Sequence, residues 1–458
     1  MPLSPSPGAF SSPGLRPSRF ALELIQIVRT RMIRVETCDV VIVGGGPAGA
    51  SAACVLAEQG HRVVVLEREK FPRYHIGESM IPFTYPALER IGMISRLRES
   101  AFIRKFSVQF VSPSGKASQP FYFFNRYDRE TVAQSWQVLR SEFDQMMLDQ
   151  ARGKGAEVRE QHEVVELLRE DGRHVGVRAK TPSGELVEWR APLTVDATGR
   201  EAIAATRNAW RRGDPMLNKV AVWTYYEGSA RDTGIDEGQT TVALIPDKGW
   251  FWHIPQHGDR VSVGVVAEGR YLTREGLKDP QAIFEREIPQ NRWIADRLST
   301  GRCLGEYWLT AEYTFRSQYS AADGLVLVGD AYGFLDPVFS SGMMLALKSG
   351  VAAADAAHEA LLAGDFRAER FSAYSRMMHE GMENMRRLVY AFYDPKVSFR
   401  TVTDQSPELA GDLTDCLSGD VNKDFSRLFS AFSEFTQLPE SLPYGFPKPA
   451  PNAPLVPV

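Results

Sequence analysis

Short apolar runs that end in glycine-containing turns recur along this chain. The first, Val40–Ala50, passes from four apolar residues through a glycine-rich turn into helix-forming sequence, and Arg62–Glu67 follows as a second apolar run that ends in an acid. Leu193–Arg200 and Gly324–Asp330 repeat the pattern of an apolar run followed by a turn with glycine and aspartate. Such units predict an α/β fold with a Rossmann-like sheet, whose ligands bind at the carboxyl edge of the strands.

The turn within Val40–Ala50 has the spacing of a dinucleotide fingerprint, Gly-x-Gly-x-x-Gly. We expect Gly44 to allow the sharp turn, Gly46 to let the backbone approach a pyrophosphate, and Gly49 to let the helix pack on the strand. Glu67, 18 residues after Gly49, can bind a ribose diol, which favours an adenosine diphosphate cofactor without a 2′-phosphate. A glycine turn in an ordinary βα unit is the alternative. The predicted binding residues are Gly44, Gly46, Pro47, Ala48, Gly49 and Glu67.

The segment Arg68–Pro82 contains prolines and a glycine that interrupt any regular element, so we predict a long irregular strap. It carries Glu78 and Ser79 between apolar residues, which suits a loop that lies over a cofactor. A plain surface connection is the alternative. Beyond the strap, the pattern predicts a helix over about Thr84–Leu97 and a strand over Phe102–Val111.

Alternating apolar and polar positions dominate from about Asn218 to Gly305, which predicts a second lobe built on an antiparallel sheet. The chain then returns to the first lobe, and a long helix is expected to begin near Met343. Ser340, Ser341 and Gly342 precede it. The free amides of such a helix start can bind an electron-rich group such as a flavin carbonyl, or a small anion.

Composition limits the classes of partner. The chain has 458 residues, 43% of them hydrophobic, and a net charge of −4 without a long basic run, so nucleic acid is an unexpected partner. We expect no membrane span, because no apolar stretch is long enough. Four cysteines without paired or metal-ligand spacing predict free thiols, no metal site and a cytoplasmic location. The first 31 residues, rich in Ser, Pro and Gly, predict disorder or a misplaced start, and a transit peptide is the alternative.

Three glycine turns in this order, with an antiparallel sheet inserted before the last, resemble the FAD-dependent monooxygenases of the aromatic hydroxylase fold, over roughly Asp39 to Leu362. The resemblance implies that Asp330 binds the ribityl chain and that Arg140 lies near the cofactor. It also implies that Pro337 and the helix start at Gly342 and Met343 face the flavin ring.

Trp250-Phe251-Trp252-His253-Ile254-Pro255 resembles the W-x-W-x-I-P signature of the flavin-dependent halogenases, a branch of that superfamily. The strap and the DPVFSSG loop are similar to its phenol and pyrrole branches, and no counterpart is found for the glutamate of its tryptophan-specific branch. The resemblance implies that Trp250 and Trp252 separate cofactor from substrate, whereas an aromatic pair on one strand face is the alternative. It assigns Lys105, at the start of the predicted strand, to halogen transfer; a surface charge is the alternative.

The implied reaction uses FAD supplied as FADH2, O2, and chloride or bromide held near Ser340, Ser341 and Gly342. Hypohalous acid would form and travel to Lys105, which delivers halogen to a phenol or pyrrole, either free or tethered to a carrier protein. One dinucleotide fingerprint predicts that a separate NAD(P)H-flavin reductase supplies the reduced flavin. The alternatives are a hydroxylase of the same fold, a reductase similar to geranylgeranyl reductases, against which W-x-W-x-I-P argues, and a non-enzymatic flavin-binding module.

We divide the chain into parts by residue number. The parts are an N-terminal extension (1–35), FAD-binding parts (36–112, 136–212 and 305–365), a substrate-lobe excursion (113–135), an antiparallel-sheet substrate domain (213–304), a helical C-terminal region (366–438) and a Pro-rich tail (439–458). The composition of the tail predicts an extended, largely unpacked end.

Overall fold

The structure is a computed structural model, and it describes residues 33–246, 249–311 and 314–450. The predictions for the first 31 residues and for the last eight therefore fall outside the described residues. No helix within the described ranges is both long and apolar enough to cross a membrane.

The described strands, in chain order, are β1 (Arg34–Thr37), β2 (Val40–Val43), β3 (Val63–Leu66), β4 (Ile103–Lys105), β5 (Ser107–Val111), β6 (Phe121–Tyr122), β7 (Ser135–Gln137), β8 (Glu157–Arg159), β9 (Glu163–Glu170), β10 (Arg173–Lys180), β11 (Leu186–Arg190), β12 (Leu193–Asp196), β13 (Arg211–Gly213), β14 (Lys219–Glu227), β15 (Thr240–Ile245), β16 (Gly249–Pro255), β17 (Arg260–Glu268), β18 (Arg302–Cys303), β19 (Trp308–Ala311), β20 (Phe315–Ser317), β21 (Tyr319–Ala322), β22 (Leu325–Leu327), β23 (Gly333–Phe334) and β24 (Phe446–Pro447).

The described α-helices are α1 (Pro47–Glu58), α2 (Tyr85–Arg90), α3 (Ile94–Glu99), α4 (Arg140–Gly153), α5 (Ile203–Arg207), α6 (Gly269–Leu272), α7 (Pro280–Glu287), α8 (Arg292–Leu298), α9 (Gly342–Ala363), α10 (Ser372–Tyr393), α11 (Phe399–Gln405), α12 (Ala410–Ser418) and α13 (Ser426–Ser433).

The first lobe is built on a seven-stranded sheet with the order β24-β21-β22-β12-β2-β3-β8. Its central strands are parallel and fully buried, as expected for apolar runs covered on both faces. Helices α1 and α9 pack against each other beside this sheet, where Gly350 allows the contact because a Cβ there would lie 2.3 Å from the Ala48 carbonyl oxygen. The predicted Rossmann-like α/β fold is confirmed.

The second lobe is an eight-stranded sheet that contains β14, β15, β16 and β17, which are the four strands predicted from the alternating pattern. It is antiparallel except that β15 pairs in parallel with β5. Its two faces differ in what they pack against. Alternate side chains belong to the large core shared with the first lobe or to a separate core under α7 and α8. The inserted antiparallel sheet and the helical C-terminal region are thus confirmed.

Two predicted elements are broken in the structure. The helix predicted over Thr84–Leu97 is two helices, α2 and α3, because Gly92 between them has a φ of +77° that ends the first helix. The strand predicted over Phe102–Val111 splits at Phe106 into β4 and β5, which pair in different sheets. Lys105 is therefore the last residue of β4, and its prediction as the start of one long strand is wrong.

Sheet membership also shifts the predicted boundaries. Residues 107–111 pair with strands of the second lobe, although the predicted boundaries place them in the first FAD-binding part, 36–112. Strand β1 begins at Arg34, within the predicted extension, and pairs in parallel with β11 in a separate four-stranded sheet that holds the predicted hairpin of β9 and β10.

The described part of the Pro-rich tail is extended but not unpacked, so that prediction is wrong. β24 pairs with β21 at the edge of the seven-stranded sheet, and the Gly445 carbonyl accepts a 3.0 Å hydrogen bond from the Tyr332 hydroxyl. The Phe446 ring lies 4.5 Å from the His379 ring. Proline lacks an N–H but is tolerated on an edge strand, which explains why the composition did not prevent packing.

Candidate functional site

A cavity of about 420 Å³ lies at the carboxyl edge of the parallel strands. The phosphate turn, the strap and the start of α9 contribute its walls from the first lobe, and β14, β15 and β16 contribute from the second lobe. The ends of β2, β12 and β22 therefore meet one another beneath a wall of aromatic side chains. A cavity at this edge is where an open α/β sheet binds its ligand.

The glycines of the fingerprint serve different purposes in the structure. Gly44 has a φ of +102°, and a Cβ on it would lie 2.4 Å from the Ala197 carbonyl oxygen. A Cβ on Gly49 would lie 2.0 Å from the Gly44 carbonyl oxygen, so both positions exclude a side chain. A Cβ on Gly46 would meet only an Arg73 nitrogen at 3.5 Å. Gly46 thus leaves open space at the uncapped start of α1, which fits a pyrophosphate.

Glu67 is held by backbone amides at the end of β3. Its two carboxylate oxygens accept 2.8 Å hydrogen bonds from the amides of Gly45 and Glu69. Glu67 lines the cavity, as do Gly44, Gly46, Pro47 and Ala48, whereas Gly49 lies behind the turn. The donor and acceptor arrangement of this turn fits the adenosine diphosphate half of FAD.

Arg140 connects the strap to α4. It donates to both oxygens of the buried Asp144, at 2.7 and 2.8 Å, and to the carbonyls of Ile76 and Gly77 in the strap. Arg73 of the strap donates to Asp144 as well, at 3.0 Å. Burial alone would raise the pKa of Asp144, but the Arg140 charge holds it below its usual value. The strap is therefore an irregular segment fixed over the cavity, and Arg140 itself lines that cavity.

The loop after β22 carries Asp330 into the cavity wall. Burial raises the pKa of Asp330 to about 6, and the charges of Arg200 and Arg140 oppose this rise. A carboxyl group in this position can accept hydrogen bonds from the hydroxyls of a ribityl chain.

The start of α9 forms another part of the wall. Pro337, Ser340, Gly342 and Met343 line the cavity, but Ser341 is buried behind them. Ser340 has a left-handed φ of +54°, and the helix begins at Gly342 without a side-chain cap. The first amides of α9 consequently have no intrahelical partner and can bind an anion or a carbonyl oxygen.

Trp250 and Trp252 lie on the face of β16 that lines the cavity. Their ring centroids are 6.1 Å apart, and both side chains are buried. Trp250 donates to the Tyr393 hydroxyl at 2.8 Å, and Trp252 donates to the Ser262 hydroxyl at 3.1 Å. Both rings are therefore fixed as a rigid part of the wall. Their i, i+2 spacing puts them on one face, as the sequence predicted.

Lys105 lies behind the cavity wall and does not line it. Its side chain is 1% exposed, and Nζ donates 2.9 Å hydrogen bonds to the Ser79 hydroxyl and the Met80 carbonyl. Ser79 and its hydrogen-bond partner Thr240 do line the cavity. The ammonium is thus separated from the cavity by one hydrogen bond, and it is not a surface charge.

Burial also changes the acidity of Lys105. It lowers the pKa of the amine to about 7. Within the described ranges, no carboxylate lies within ion-pair distance of Nζ, so only contacts with neutral groups offset the loss of hydration. Neutral and charged forms of the amine are then both populated near neutral pH.

The sequence reasoning missed two aromatic residues of β14, Trp223 and Tyr225. Both belong to the core shared with the first lobe, whereas Val222 and Tyr226 belong to the separate core. Trp223 lines the cavity. The alternation in KVAVWTYYE would have assigned Trp223 and Tyr225 to one face, but it could not show which face meets the strap.

Comparison with known proteins agrees with the geometry. A family profile described as tryptophan halogenase matches residues 39–127 and 118–401. The chain is 30% identical over 403 residues to the 1H-pyrrole-2-carbonyl-(peptidyl-carrier protein) chlorinase of Pseudomonas fluorescens, which covers 84% of this chain and 89% of the relative. It is 28% identical over 393 residues to the corresponding brominase of Pseudoalteromonas luteoviolacea, which covers 85% of this chain and 93% of the relative.

Solved structures give the same result. The flavin-dependent brominase Bmp2 superposes with a TM-score of 0.78 at 26% identity, covering 87% of this chain and 98% of that one. The myxobacterial chondrochloren halogenase CndH, described as FAD-dependent, superposes with a TM-score of 0.72 at 31% identity, covering 84% and 91%. The chain therefore belongs to the flavin-dependent halogenases, enzymes that use FAD, O2 and chloride or bromide.

Proposed function

We propose that this halogenase acts on an electron-rich aromatic ring, a phenol or a pyrrole, and that Lys105 transfers the halogen. The two bacterial relatives are named for a pyrrole carried on a peptidyl-carrier protein, which supports a pyrrole substrate, free or tethered. The observation that carries the proposal is the lysine itself: Lys105 is fully buried, has hydrogen bonds only to neutral groups, and is one hydrogen bond away from the cavity wall.

The residues of the cavity have separate roles in this proposal. The turn from Gly44 to Gly49, Glu67, Arg140 and Asp330 bind FAD. Ser340 and Gly342 hold the halide at the start of α9, and Ser341 supports them from behind the cavity wall. Bound FADH2 supplies the two electrons with which O2 and halide yield hypohalous acid. Trp250 and Trp252, fixed by their ring N–H groups, keep the substrate away from the flavin, so the ring is not hydroxylated.

Lys105 then controls hypohalous acid beyond this wall. Its ammonium form can donate a hydrogen bond to the oxidant, and its neutral form can take the halogen as a haloamine with release of water. Either form then gives the halogen to the aromatic ring. A pKa near 7 supports both routes, because the amine is not locked in its charged form.

The remaining parts of the proposal concern supply and location. We propose that a separate NAD(P)H-flavin reductase provides FADH2, since the sequence contains one dinucleotide fingerprint and it is assigned to FAD. The four cysteines, three of them buried and none in a disulfide among the described residues, support a reducing, cytoplasmic location.

Product mass tests the substrate class. Purified enzyme would receive reduced FAD, air, bromide and a panel of free phenols and pyrroles, with pyrrole-2-carboxylate loaded on a carrier protein as a separate arm. We expect bromide-dependent mass shifts on at least one member of the panel. Oxygen insertion without bromine would contradict halogenation and support the hydroxylase alternative.

A further inference from the structure

A chain of hydroxyl groups leads from the protein surface to a buried carboxyl group in the cavity wall. Tyr74, in the strap, is 46% exposed. Its hydroxyl oxygen lies 3.2 Å from that of the buried Tyr225, and the Tyr225 hydroxyl donates to Glu78 Oε1 at 2.6 Å. Glu78 is 2% exposed and lines the cavity. Three residues from the strap and β14 therefore connect solvent with the cavity.

The hydrogen bonds along the path Tyr74–Tyr225–Glu78 run in one direction once the single proton of Tyr225 is assigned to Glu78. Trp223 donates its ring N–H to the Tyr74 oxygen at 2.6 Å, so that oxygen acts as an acceptor there. Tyr225 has a single hydroxyl proton, and the short contact with Glu78 takes it. The Tyr74 proton is then directed at the Tyr225 oxygen. With the Tyr225 proton on the shorter bond to Glu78, the 3.2 Å contact between the two hydroxyls has to run from Tyr74 to Tyr225, which is the arrangement that proton transfer to the carboxyl group requires.

The path of hydrogen bonds from Tyr74 ends at the Glu78 carboxyl group, whose second oxygen is Oε2. This oxygen is buried and, among the described residues, makes no well-aligned hydrogen bond, although the side chains of Ser262 and Gln256 lie close to the carboxyl group. An ionised carboxylate with an unpaired buried oxygen would be costly, whereas a proton on Oε2 removes the charge and makes that oxygen a hydrogen-bond donor. Burial raises the pKa of Glu78, against smaller opposing effects from Tyr225, the nearby polar groups of Ser262 and Gln256, and the Arg140 charge.

The reaction of this family creates a need for such a proton. FADH2, O2 and a halide ion form FAD, hypohalous acid and water only if one further proton is taken up, because the products hold three hydrogens and FADH2 supplies two. The strap and the second lobe both contribute to the cavity wall, and the hydroxyl groups of Tyr74 and Tyr225 give this third proton a path through that wall.

We propose that Glu78 is the catalytic acid that delivers this proton, and that Tyr225 and Tyr74 resupply it from solvent. The Glu78 Oε2–H bond breaks and an O–H bond forms on the oxygen that leaves as water. Tyr225 then gives its proton to Glu78 Oε1, Tyr74 gives its proton to Tyr225, and solvent reprotonates Tyr74. Rotation of the carboxyl group and of the two hydroxyls restores the starting arrangement. This inference rests on the halogenase reaction but not on the identity of the aromatic substrate.

Infrared spectroscopy of the ligand-free protein tests the resting state of Glu78 without turnover. We expect the stretching band of a protonated carboxyl group at neutral pH, shifted in D2O and absent in Glu78→Gln. A spectrum in which Glu78→Gln removes no such band would overturn the proposal. This measurement decides the matter even if none of the tested aromatic compounds is a substrate.

Hypohalous acid formation tests delivery of the proton. With bound FADH2, air, bromide and a halogen scavenger in place of the aromatic substrate, Glu78→Gln should lower the rate by roughly 100-fold, in the range of a lost general acid. Formic acid should partly restore the rate of Glu78→Ala, which a purely structural role would not allow. An unchanged rate in Glu78→Gln, or no rescue by formic acid, would contradict the proposal.

The two tyrosines require a matched control. Tyr225→Phe and Tyr74→Phe remove only hydroxyls, and the second keeps the stack of the Tyr74 ring on Trp308, whose centroids are 4.8 Å apart. Tyr271→Phe removes a comparable tyrosine–glutamate hydrogen bond of 3.0 Å, to Glu287, and neither residue lines the cavity. We expect slower bromide oxidation and a changed solvent isotope effect in the first two variants and not in the third. Equal behaviour of all three would overturn the relay.

Discussion

Replacing Lys105 with methionine should make the protein more stable while removing its halogen transfer. Burial lowers the pKa of Lys105 from 10.5 to about 7, and since each pKa unit corresponds to about 1.4 kcal/mol, the buried ammonium costs about 5 kcal/mol below pH 7. Methionine fills a similar volume but leaves the Ser79 hydroxyl and the Met80 carbonyl without their donor, a loss of about 2 kcal/mol. The net expectation at pH 6 is a gain of about 3 kcal/mol.

The pH dependence has a defined sign. Between pH 7 and pH 10.5, the unfolded chain holds a proton on Lys105 that the native amine has released, so the stability of the parent rises with pH. At pH 9.5 the free-energy cost of burying Lys105 falls to about 1–2 kcal/mol. This is close to the stabilisation that methionine loses with the two hydrogen bonds. The parent and Lys105→Met should then have about the same free energy of unfolding.

Urea unfolding at pH 6 and pH 9.5 measures both effects. Lys219→Met is the matched control, because Lys219 is also buried but has Glu268 as an ionic partner at 3.7 Å. That substitution should destabilise at both pH values, since it removes the attraction of the ammonium to Glu268 and its contact with the Tyr393 ring at 4.3 Å. The reasoning is refuted if Lys105→Met unfolds at lower urea than the parent at pH 6, or if the difference between them does not change with pH.

Three further outcomes follow from the cavity. Gly46→Val should weaken FAD binding, measured by fluorescence quenching, without lowering stability, because its Cβ meets only Arg73 at 3.5 Å and fills the pyrophosphate space; unchanged affinity would contradict that site. Burial raises the pKa of Asp336 to about 6, so between pH 4 and pH 6 native Asp336 holds a proton that the unfolded chain has released. The free energy of unfolding should therefore fall by about 3 kcal/mol from this group as the pH rises from 4 to 6. Asp336→Asn should remove that part of the slope in urea titrations, and an unchanged slope would contradict it. The isolated enzyme should oxidise NADH and NADPH negligibly, as followed by absorbance; rapid oxidation would favour a hydroxylase.

Local chemistry explains which features could be predicted from the sequence. The phosphate turn was predictable because Gly44 and Gly49 satisfy constraints set within a few residues, namely a positive φ and a close backbone contact. Trp250 and Trp252 were assigned to one face because strand alternation is also local. The start of α9 near Met343 followed from the turn residues that precede it.

Features set by tertiary pairing were not predictable in the same way. The sequence Phe102–Val111 contains no Gly or Pro that would mark a break, yet β4 pairs with β7 while β5 pairs with β15, and Lys105 is buried beside the break. The path from Tyr74 to Glu78 passes through Tyr225 of β14, about 150 residues after the strap, so no local spacing in the sequence predicts it. β24 pairs with β21, a strand that lies over 120 residues earlier in the sequence.

Lys105→Met in a single turnover tests the central claim most directly. The enzyme would be loaded with FADH2 and mixed with air, bromide and an accepted phenol or pyrrole, while flavin absorbance and product mass are followed together. The account predicts that flavin reoxidation and scavenged hypobromous acid persist in Lys105→Met, whereas brominated product is lost. Bromination of the aromatic ring as fast as in the parent would contradict it, because the Lys105 amine would then have no chemical role.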